Sequence, residues 1–180
     1  MRRIAIVGSS GSGKSTLADA LAERLGVPVI ELDALMHGPG WTPTPTPEFR
    51  SKVTRAIADA DTSADGWVVP GNYRNVADIT QRSADTVVWL DLPRRVSMWR
   101  LLRRSLRRAV TRETLWGGNR ESVRNLVSRD PERNVLLWAW QHHDDYRELY
   151  RTYAEGDFWA RARVVRLRTP RELRAFLLSC

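Results

Sequence analysis

Short apolar runs alternate along the chain with segments whose apolar positions recur at helical spacing. Residues 4–7 are wholly apolar and end at a glycine, which is typical of a strand buried on both faces of a parallel sheet. Leucine then recurs every fourth position over residues 17–25, which predicts a helix that stops at Gly26. Residues 27–32 predict a second strand. Together these segments form a βαβ unit, which brings ligands to the carboxyl ends of its strands.

The rest of the chain continues this alternation. Three further apolar runs predict strands, at residues 66–69, 86–90 and 163–167. Proline, glycine and threonine crowd residues 36–47, which predicts a mobile loop, and a helix is expected over residues 48–60. A long helical stretch over residues 94–153 breaks near residues 117–118, where we expect a hinge, and a last helix opens at Thr169. The pattern predicts one α/β domain with five strands.

Composition narrows the class of protein. Of 180 residues, 42% are hydrophobic and 28% charged, as in a soluble domain, and no apolar run approaches the roughly 18 residues of a membrane span. We therefore expect a cytoplasmic protein. The single cysteine, Cys180, excludes an internal disulfide and is expected to be an exposed thiol. The net charge of +8, with arginine as every cation except Lys14 and Lys52, favours anionic partners, either nucleotides or nucleic acid.

One motif carries specific chemistry. Residues 8–15 fit G-x-x-x-x-G-K-[ST] without a mismatch, between a predicted strand and a predicted helix. Its members are Gly8, Ser9, Ser10, Gly11, Ser12, Gly13, Lys14 and Ser15. The glycines let successive N–H groups point at a polyphosphate, Lys14 can bridge the β- and γ-phosphates, and the Ser15 hydroxyl can ligate Mg²⁺. A plain connecting turn needs neither the lysine nor the hydroxyl, so we predict an ATP and Mg²⁺ site, beside which Thr16 binds nucleotide, caps or packs.

These features resemble a known family. The loop, the strand ending at Asp33, residues 67–73 and the arginine-rich region after Asp91 resemble the P-loop kinases related to adenylate, shikimate and gluconate kinases. Overall order is most similar to the bacterial DNA topology modulation proteins. The resemblance implies a three-layer P-loop NTPase fold with a five-stranded parallel sheet, an acceptor-binding insert at about residues 34–62 and an arginine-rich helical lid at about 100–125.

Two departures from related families matter. The acceptor signature of adenylate kinases is replaced by residues 70–74. The Asp-x-x-Gly element of GTPases is absent from the sequence, which argues against a GTP switch.

Residues after the predicted strands are candidates to bind the acceptor. Asp33 closes the second strand and can orient or deprotonate an acceptor hydroxyl or serve the metal, as the resemblance to shikimate and gluconate kinases implies; a turn cap is the alternative. Four residues that follow the third strand could contact a ligand: Gly71, Asn72, Tyr73 and Arg74. The glycine lets the backbone approach closely, and the others supply an amide, a phenol and a guanidinium in turn. The alternative there is a tight turn packed on the core. Trp41, in the predicted loop, is a candidate to stack on an acceptor ring.

Four arginines recur every fourth position in the helix predicted after Asp91: Arg100, Arg104, Arg108 and Arg112. On one helical face they repel one another unless an anion neutralises them. We therefore predict that the first and third bind nucleotide and that the second and fourth are catalytic. The alternative is a solvated basic face, or one paired with Glu113 and Glu121. Asp91 is expected to cap this helix, with a water on Mg²⁺ as its other possible partner.

The sequence therefore predicts a kinase that moves the γ-phosphoryl group of Mg·ATP to a small acceptor, first a nucleoside or nucleoside monophosphate and second another metabolite. Catalytic roles are predicted for Lys14, Asp33, Arg104 and Arg112, and metal roles for Ser15 and Asp33. The alternatives are a nucleic-acid-associated ATPase, polynucleotide kinase or DNA topology regulator, and a protein that binds ATP without transfer. No nucleic-acid-binding signature is present, so nucleic acid is not favoured. We expect a monomer or homodimer with no membrane partner.

Overall fold

A four-stranded parallel sheet forms the centre of the structure, a computed structural model that describes residues 1–131 and 134–179. Cys180 therefore lies outside the described residues. The spatial order of the strands is β2-β1-β3-β4. Their bounds are β1 (Arg3–Gly8), β2 (Trp67–Pro70), β3 (Thr86–Leu90) and β4 (Arg163–Leu167). Because every pairing is parallel, the carboxyl ends of the strands meet at one edge of the sheet.

The predicted second strand, over residues 27–32, does not form, so the sheet has four strands where five are predicted. This segment makes only one parallel bridge to β2, between Val29 and Val68. Pro28 has no N–H to donate to a ladder, and the chain turns into a helix at Leu32 after too few residues to extend the pairing. As a consequence Asp33 lies in the first turn of that helix and does not end a strand.

Eight helices are described, most of them on the two faces of the sheet. They are α1 (Lys14–Leu25), α2 (Leu32–Met36), α3 (Thr46–Ala64), α4 (Ala77–Thr80), α5 (Arg94–Thr111), α6 (Val123–Leu126), α7 (Val135–Glu155) and α8 (Pro170–Ser179). The apolar face of α1 packs with α8 on one side of the sheet, where Leu17 and Leu21 are buried. On the other side, α3 and α7 cover a core that contains Phe49, Trp89 and Tyr150. The domain therefore has three layers.

The segment predicted as one broken helix over residues 94–153 is divided more deeply. Helix α5 ends at Thr111, and Arg112 follows in the left-handed conformation, with φ 51°. A single 3₁₀ turn at Trp116–Gly118 and the short α6 precede α7. Residues 36–47, predicted as a loop without regular structure, contain a 3₁₀ turn at Pro39–Trp41 and an antiparallel bridge. The bounds of the acceptor insert and the lid stay predictions.

Within residues 1–131 and 134–179, no helix has both the length and the apolar surface that crossing a bilayer would require.

Candidate active site

The glycine-rich loop joins β1 to α1 at the carboxyl edge of the sheet. Gly8, Gly11 and Gly13 all have positive φ, of 145°, 78° and 100°. The loop is packed closely on both sides, because a Cβ on Gly8 would lie 2.6 Å from the Leu90 carbonyl oxygen and one on Gly11 would lie 2.2 Å from that of Ser97. The backbone can therefore curl as a phosphate-binding loop requires only with glycine at these positions. The first N–H groups of α1 have no acceptor within the helix and add to the positive character of this edge.

Lys14 begins α1 and folds back under the loop. Its Nζ donates to the carbonyl oxygens of Gly8, at 2.7 Å, and Ser9, at 3.0 Å. The pKa of this ammonium is lowered to about 8, mainly by burial; the Asp33 carboxylate opposes the shift and Arg104 adds to it. The charges of Asp33 and Arg104, from α2 and α5, therefore act on the lysine of α1.

Asp33 has a defined set of partners. Its Oδ1 accepts a 2.6 Å hydrogen bond from the Tyr73 hydroxyl, and that hydroxyl lies 3.2 Å from Nε2 of His37. The Tyr73 ring packs edge-on against Phe49, with ring centroids 5.2 Å apart. Burial and the neighbouring Asp33 carboxylate raise the pKa of Tyr73 well above its ordinary value, so the phenol stays protonated and donates. The carboxylate is thus oriented by a neutral donor.

The arginine ladder of α5 divides into residues with different surroundings. Nη1 of Arg100 donates to the Ser12 carbonyl oxygen at 3.2 Å, which ties the helix to the loop. Arg108 is ion-paired with Glu121, at 3.0 Å, and with Glu113, at 3.4 Å. The pairing that the sequence left as an alternative is therefore present at Arg108.

Arg104 differs from Arg100 and Arg108 because its guanidinium has no hydrogen bond or ion pair with any residue that the structure describes. Its Nε is buried and has no hydrogen-bond partner among the described residues. Burial and the adjacent Arg108 lower the pKa of this guanidinium, while Glu121 and Asp33 oppose the shift. A buried cation with an unused donor is suited to an anionic ligand. Arg112 does not share this face, because it lies exposed beyond the end of α5.

The predicted acceptor residues after β2 are brought to the same edge but in different roles. Asn72 is hydrogen-bonded to both backbone atoms of Gly8. Gly71 fits closely against Leu32, since a Cβ there would lie 2.7 Å from Leu32 Cδ1. Arg74 is exposed and its guanidinium lies 5.6 Å from the centroid of the Tyr146 ring. Of the group after β2, only Tyr73 contacts Asp33 through a hydrogen bond.

Asn119, in the predicted lid, contacts the predicted acceptor insert, although the sequence does not predict this contact. The side chain of Asn119 accepts from the Trp41 N–H at 3.0 Å and donates to the Gly38 carbonyl oxygen at 2.9 Å. Gly117 lies so close to Gly38 that a Cβ on it would be 2.7 Å from the Gly38 carbonyl carbon. Trp41 is 37% exposed, and its ring meets that of His37 edge-on. The paired glycines before Asn119 were the available sequence signal.

Asp91 does not cap α5, and its carboxylate is paired with two arginines. The residue before α5 is Pro93, and no side chain caps the helix there. Instead the buried Asp91 carboxylate accepts from Nη2 of Arg166, at 2.6 Å, and pairs with Nε of Arg147, at 2.9 Å. The expectation that Asp91 caps α5 is therefore wrong, because two arginines distant in sequence reach the carboxylate.

The residues present fit ATP and Mg²⁺. The curled loop, the ammonium of Lys14 and the unpaired Nε of Arg104 form a cationic edge for a polyphosphate. Ser15 and Thr16 are exposed in the first turn of α1, where a hydroxyl can ligate Mg²⁺. Among residues 1–131 and 134–179, no group of three or more histidine, cysteine, aspartate or glutamate side chains could hold a metal by itself.

A parallel sheet flanked by helices, with a phosphate-binding loop after its first strand, defines the P-loop kinase fold. Residues 4–175 match the family AAA_33, described as an AAA domain, and the chain belongs to this family. No curated protein matches the chain.

Three solved structures share the fold. A sugar kinase from Janibacter sp. HTCC2649, solved unliganded, has 18% identity over 99% of this chain and 93% of its own, with a TM-score of 0.53. Shikimate kinase from Acinetobacter baumannii in complex with shikimate has 18% identity over 99% and 90%, with a TM-score of 0.55. A gluconokinase from Sinorhizobium meliloti 1021 has 21% identity over 99% and 92%, with a TM-score of 0.51. The closer resemblance to the DNA topology modulation proteins is not confirmed.

Proposed function

We propose that the protein is an ATP-dependent phosphotransferase that phosphorylates a hydroxyl group of a small acceptor. The observation that carries this proposal is the glycine-curled loop with Lys14 Nζ hydrogen-bonded to its carbonyls, an ammonium on which the charges of Asp33 and Arg104 act. Lys14 and Arg104 supply positive charge for a polyphosphate, and Asp33 supplies a carboxylate for an acceptor. The fold is shared with three structures named as kinases, which supports the same reaction class.

The chain's own groups have distinct roles in this proposal. The loop amides and Lys14 bind the β- and γ-phosphates, and Ser15 ligates Mg²⁺. Mg·ATP supplies the phosphoryl group when bound. Asp33 accepts the proton of the acceptor hydroxyl, and the hydrogen bond from Tyr73 orients its carboxylate. Arg104 stabilises the negative charge on the transferring group, since its Nε has no partner within residues 1–131 and 134–179.

The carboxylate favours a hydroxyl acceptor over a phosphate. A phosphate monoester beside Asp33 would meet like charge, whereas a hydroxyl can donate to it. Among hydroxyl acceptors we place nucleosides first, because the partly exposed Trp41 ring beside His37 offers a surface for stacking. Nucleoside monophosphates, sugar-like metabolites and polynucleotide ends are the other acceptors to be compared.

The test is release of ADP from Mg·ATP against a panel of those acceptors, with the phosphorylated product identified by mass. At least one acceptor should stimulate ADP release. Asp33→Asn should lower kcat for that acceptor by about 10²-fold or more while leaving the affinity for Mg·ATP within about threefold. Asp59→Asn, on the exposed face of α3, is the matched control. Tight Mg·ATP binding with no stimulation by any acceptor would refute phosphoryl transfer.

A further inference from the structure

The amide of Asn72 is engaged by the protein at both ends. Its Nδ2 donates to the Gly8 carbonyl oxygen at 2.6 Å, and its Oδ1 accepts from the Gly8 N–H at 3.3 Å. The Oδ1 also accepts from the hydroxyl of Tyr150 at 2.9 Å. Asn72 therefore acts on the first residue of the phosphate-binding loop, a role that its sequence position as an acceptor ligand did not suggest.

The Gly8 carbonyl oxygen has a second donor. Nζ of Lys14 lies 2.7 Å from it, so the two lone pairs of this carbonyl are shared between an ammonium and an amide. Gly8 is buried, and a buried carbonyl without any partner is costly. The Lys14 ammonium has three N–H donors, and two of them are used by the Gly8 and Ser9 carbonyls. To bridge the β- and γ-phosphates it needs two donors, so at least one of these carbonyls must be released.

We propose that Asn72 is a positioning residue that keeps the Gly8 carbonyl satisfied when Lys14 turns to the phosphates of a nucleotide. With Asn72 present, release of Lys14 takes the carbonyl from two donors to one. Without Asn72, the same release takes it from one donor to none, and nucleotide binding bears that cost. The proposal rests on the nucleotide site of the proposed function but not on any acceptor.

Tyr150 fixes the orientation of the amide. Its hydroxyl donates to Oδ1, which leaves Nδ2 for the Gly8 carbonyl. The ring is only 1% exposed and stacks on Tyr146 and Trp159, with centroids 5.8 Å apart in both pairs. Burial raises the pKa of this phenol well above its ordinary value, so it remains a donor. The aromatic core of α7 thereby sets one hydrogen bond of the phosphate-binding loop.

The experiment is a double-mutant cycle on the dissociation constant for Mg·ATP, measured by calorimetry or by competition with a fluorescent ATP analogue. The four proteins are the wild type, Asn72→Ala, Lys14→Ala and the double variant. Asn72→Ala should weaken binding about tenfold when Lys14 is present. In the Lys14→Ala background the same change should cost less than about twofold, because the carbonyl then has the same partners before and after binding.

A merely structural role for Asn72 would give equal losses of Mg·ATP affinity in the two backgrounds, and that result would overturn the proposal. Unchanged affinity of Asn72→Ala in the protein that keeps Lys14 would also overturn it. Tyr150→Phe repeats the comparison if Asn72→Ala does not fold, with about threefold weaker binding expected only when Lys14 is present. A wild type that binds Mg·ATP but phosphorylates nothing would refute the proposed function alone. A wild type that binds no nucleotide would overturn both.

Discussion

An alanine at Gly11 tests the contact between the phosphate-binding loop and α5. Gly11 has φ +78°, and a Cβ there would lie 2.2 Å from the Ser97 carbonyl oxygen and 2.8 Å from Leu101 Cβ. Ordinary van der Waals contact begins near 3.4 Å. The obstructing oxygen belongs to the helix backbone and cannot rotate away. Either the loop or α5 must therefore move by about 1 Å, against the close packing of the core.

The expected cost has two parts. The left-handed conformation of a non-glycine residue costs about 1–2 kcal/mol. Overpacking against α5 adds about 1–3 kcal/mol. Alanine also lowers the conformational entropy of the unfolded chain, which offsets about 0.4–1 kcal/mol of this loss of stability. The free energy of unfolding of Gly11→Ala should therefore fall by about 1–4 kcal/mol.

Gly26→Ala separates the two parts. Gly26 also has a left-handed backbone, with φ +64°, but no atom of the described residues lies within 4 Å of the position of its Cβ. Its alanine variant carries the backbone strain without the overpacking. In urea unfolding followed by circular dichroism, Gly11→Ala should be less stable than Gly26→Ala by about 1–3 kcal/mol. Equal stability of the two variants would show that α5 does not press on the loop.

Three further predictions concern charge and closure. Affinity for Mg·ATP should fall about tenfold per pH unit above about 8, because Lys14 loses its proton there; calorimetry should show this fall in the wild type and a flat profile in Lys14→Arg. Asn119→Ala should speed amide exchange at Trp41, measured by mass spectrometry, and unchanged exchange would contradict the described bond. Asp91→Asn should lower the free energy of unfolding by about 1–3 kcal/mol, whereas Asp144→Asn, at a carboxylate 70% exposed, should cost under about 1 kcal/mol in the same assay.

The sequence predicts those features that local pattern determines. Residues 86–90 and 163–167 are strands with the predicted bounds, because both are short segments rich in valine, which favours a strand. The phosphate-binding loop is predicted by its own spacing and forms between β1 and α1.

The partnerships that assemble the site are not local, and no pattern indicates them. Asn72 meets Gly8 across 64 positions and Tyr150 across 78. The spacing of every fourth residue also places Arg112 in the helix, whereas α5 ends at Thr111. Regular spacing does not indicate which turn of a helix is the last. The missing second strand has the same origin, since the onset of α2 at Leu32 depends on packing against the core.

The crossing of Gly38 and Gly117 has a consequence for the size of the acceptor. The backbones of Gly38 and Gly117 are in direct contact, and the Asn119 side chain is hydrogen-bonded to Gly38. This contact lies next to His37, which the Tyr73 hydroxyl reaches. If Asp33 holds the acceptor as we propose, a short molecule would leave this contact intact. The end of a long polymer would instead separate Gly38 from Gly117, and solvent would then reach the transferring group. Discrimination against polymers would in that case come from failure to close, without any group that recognises them.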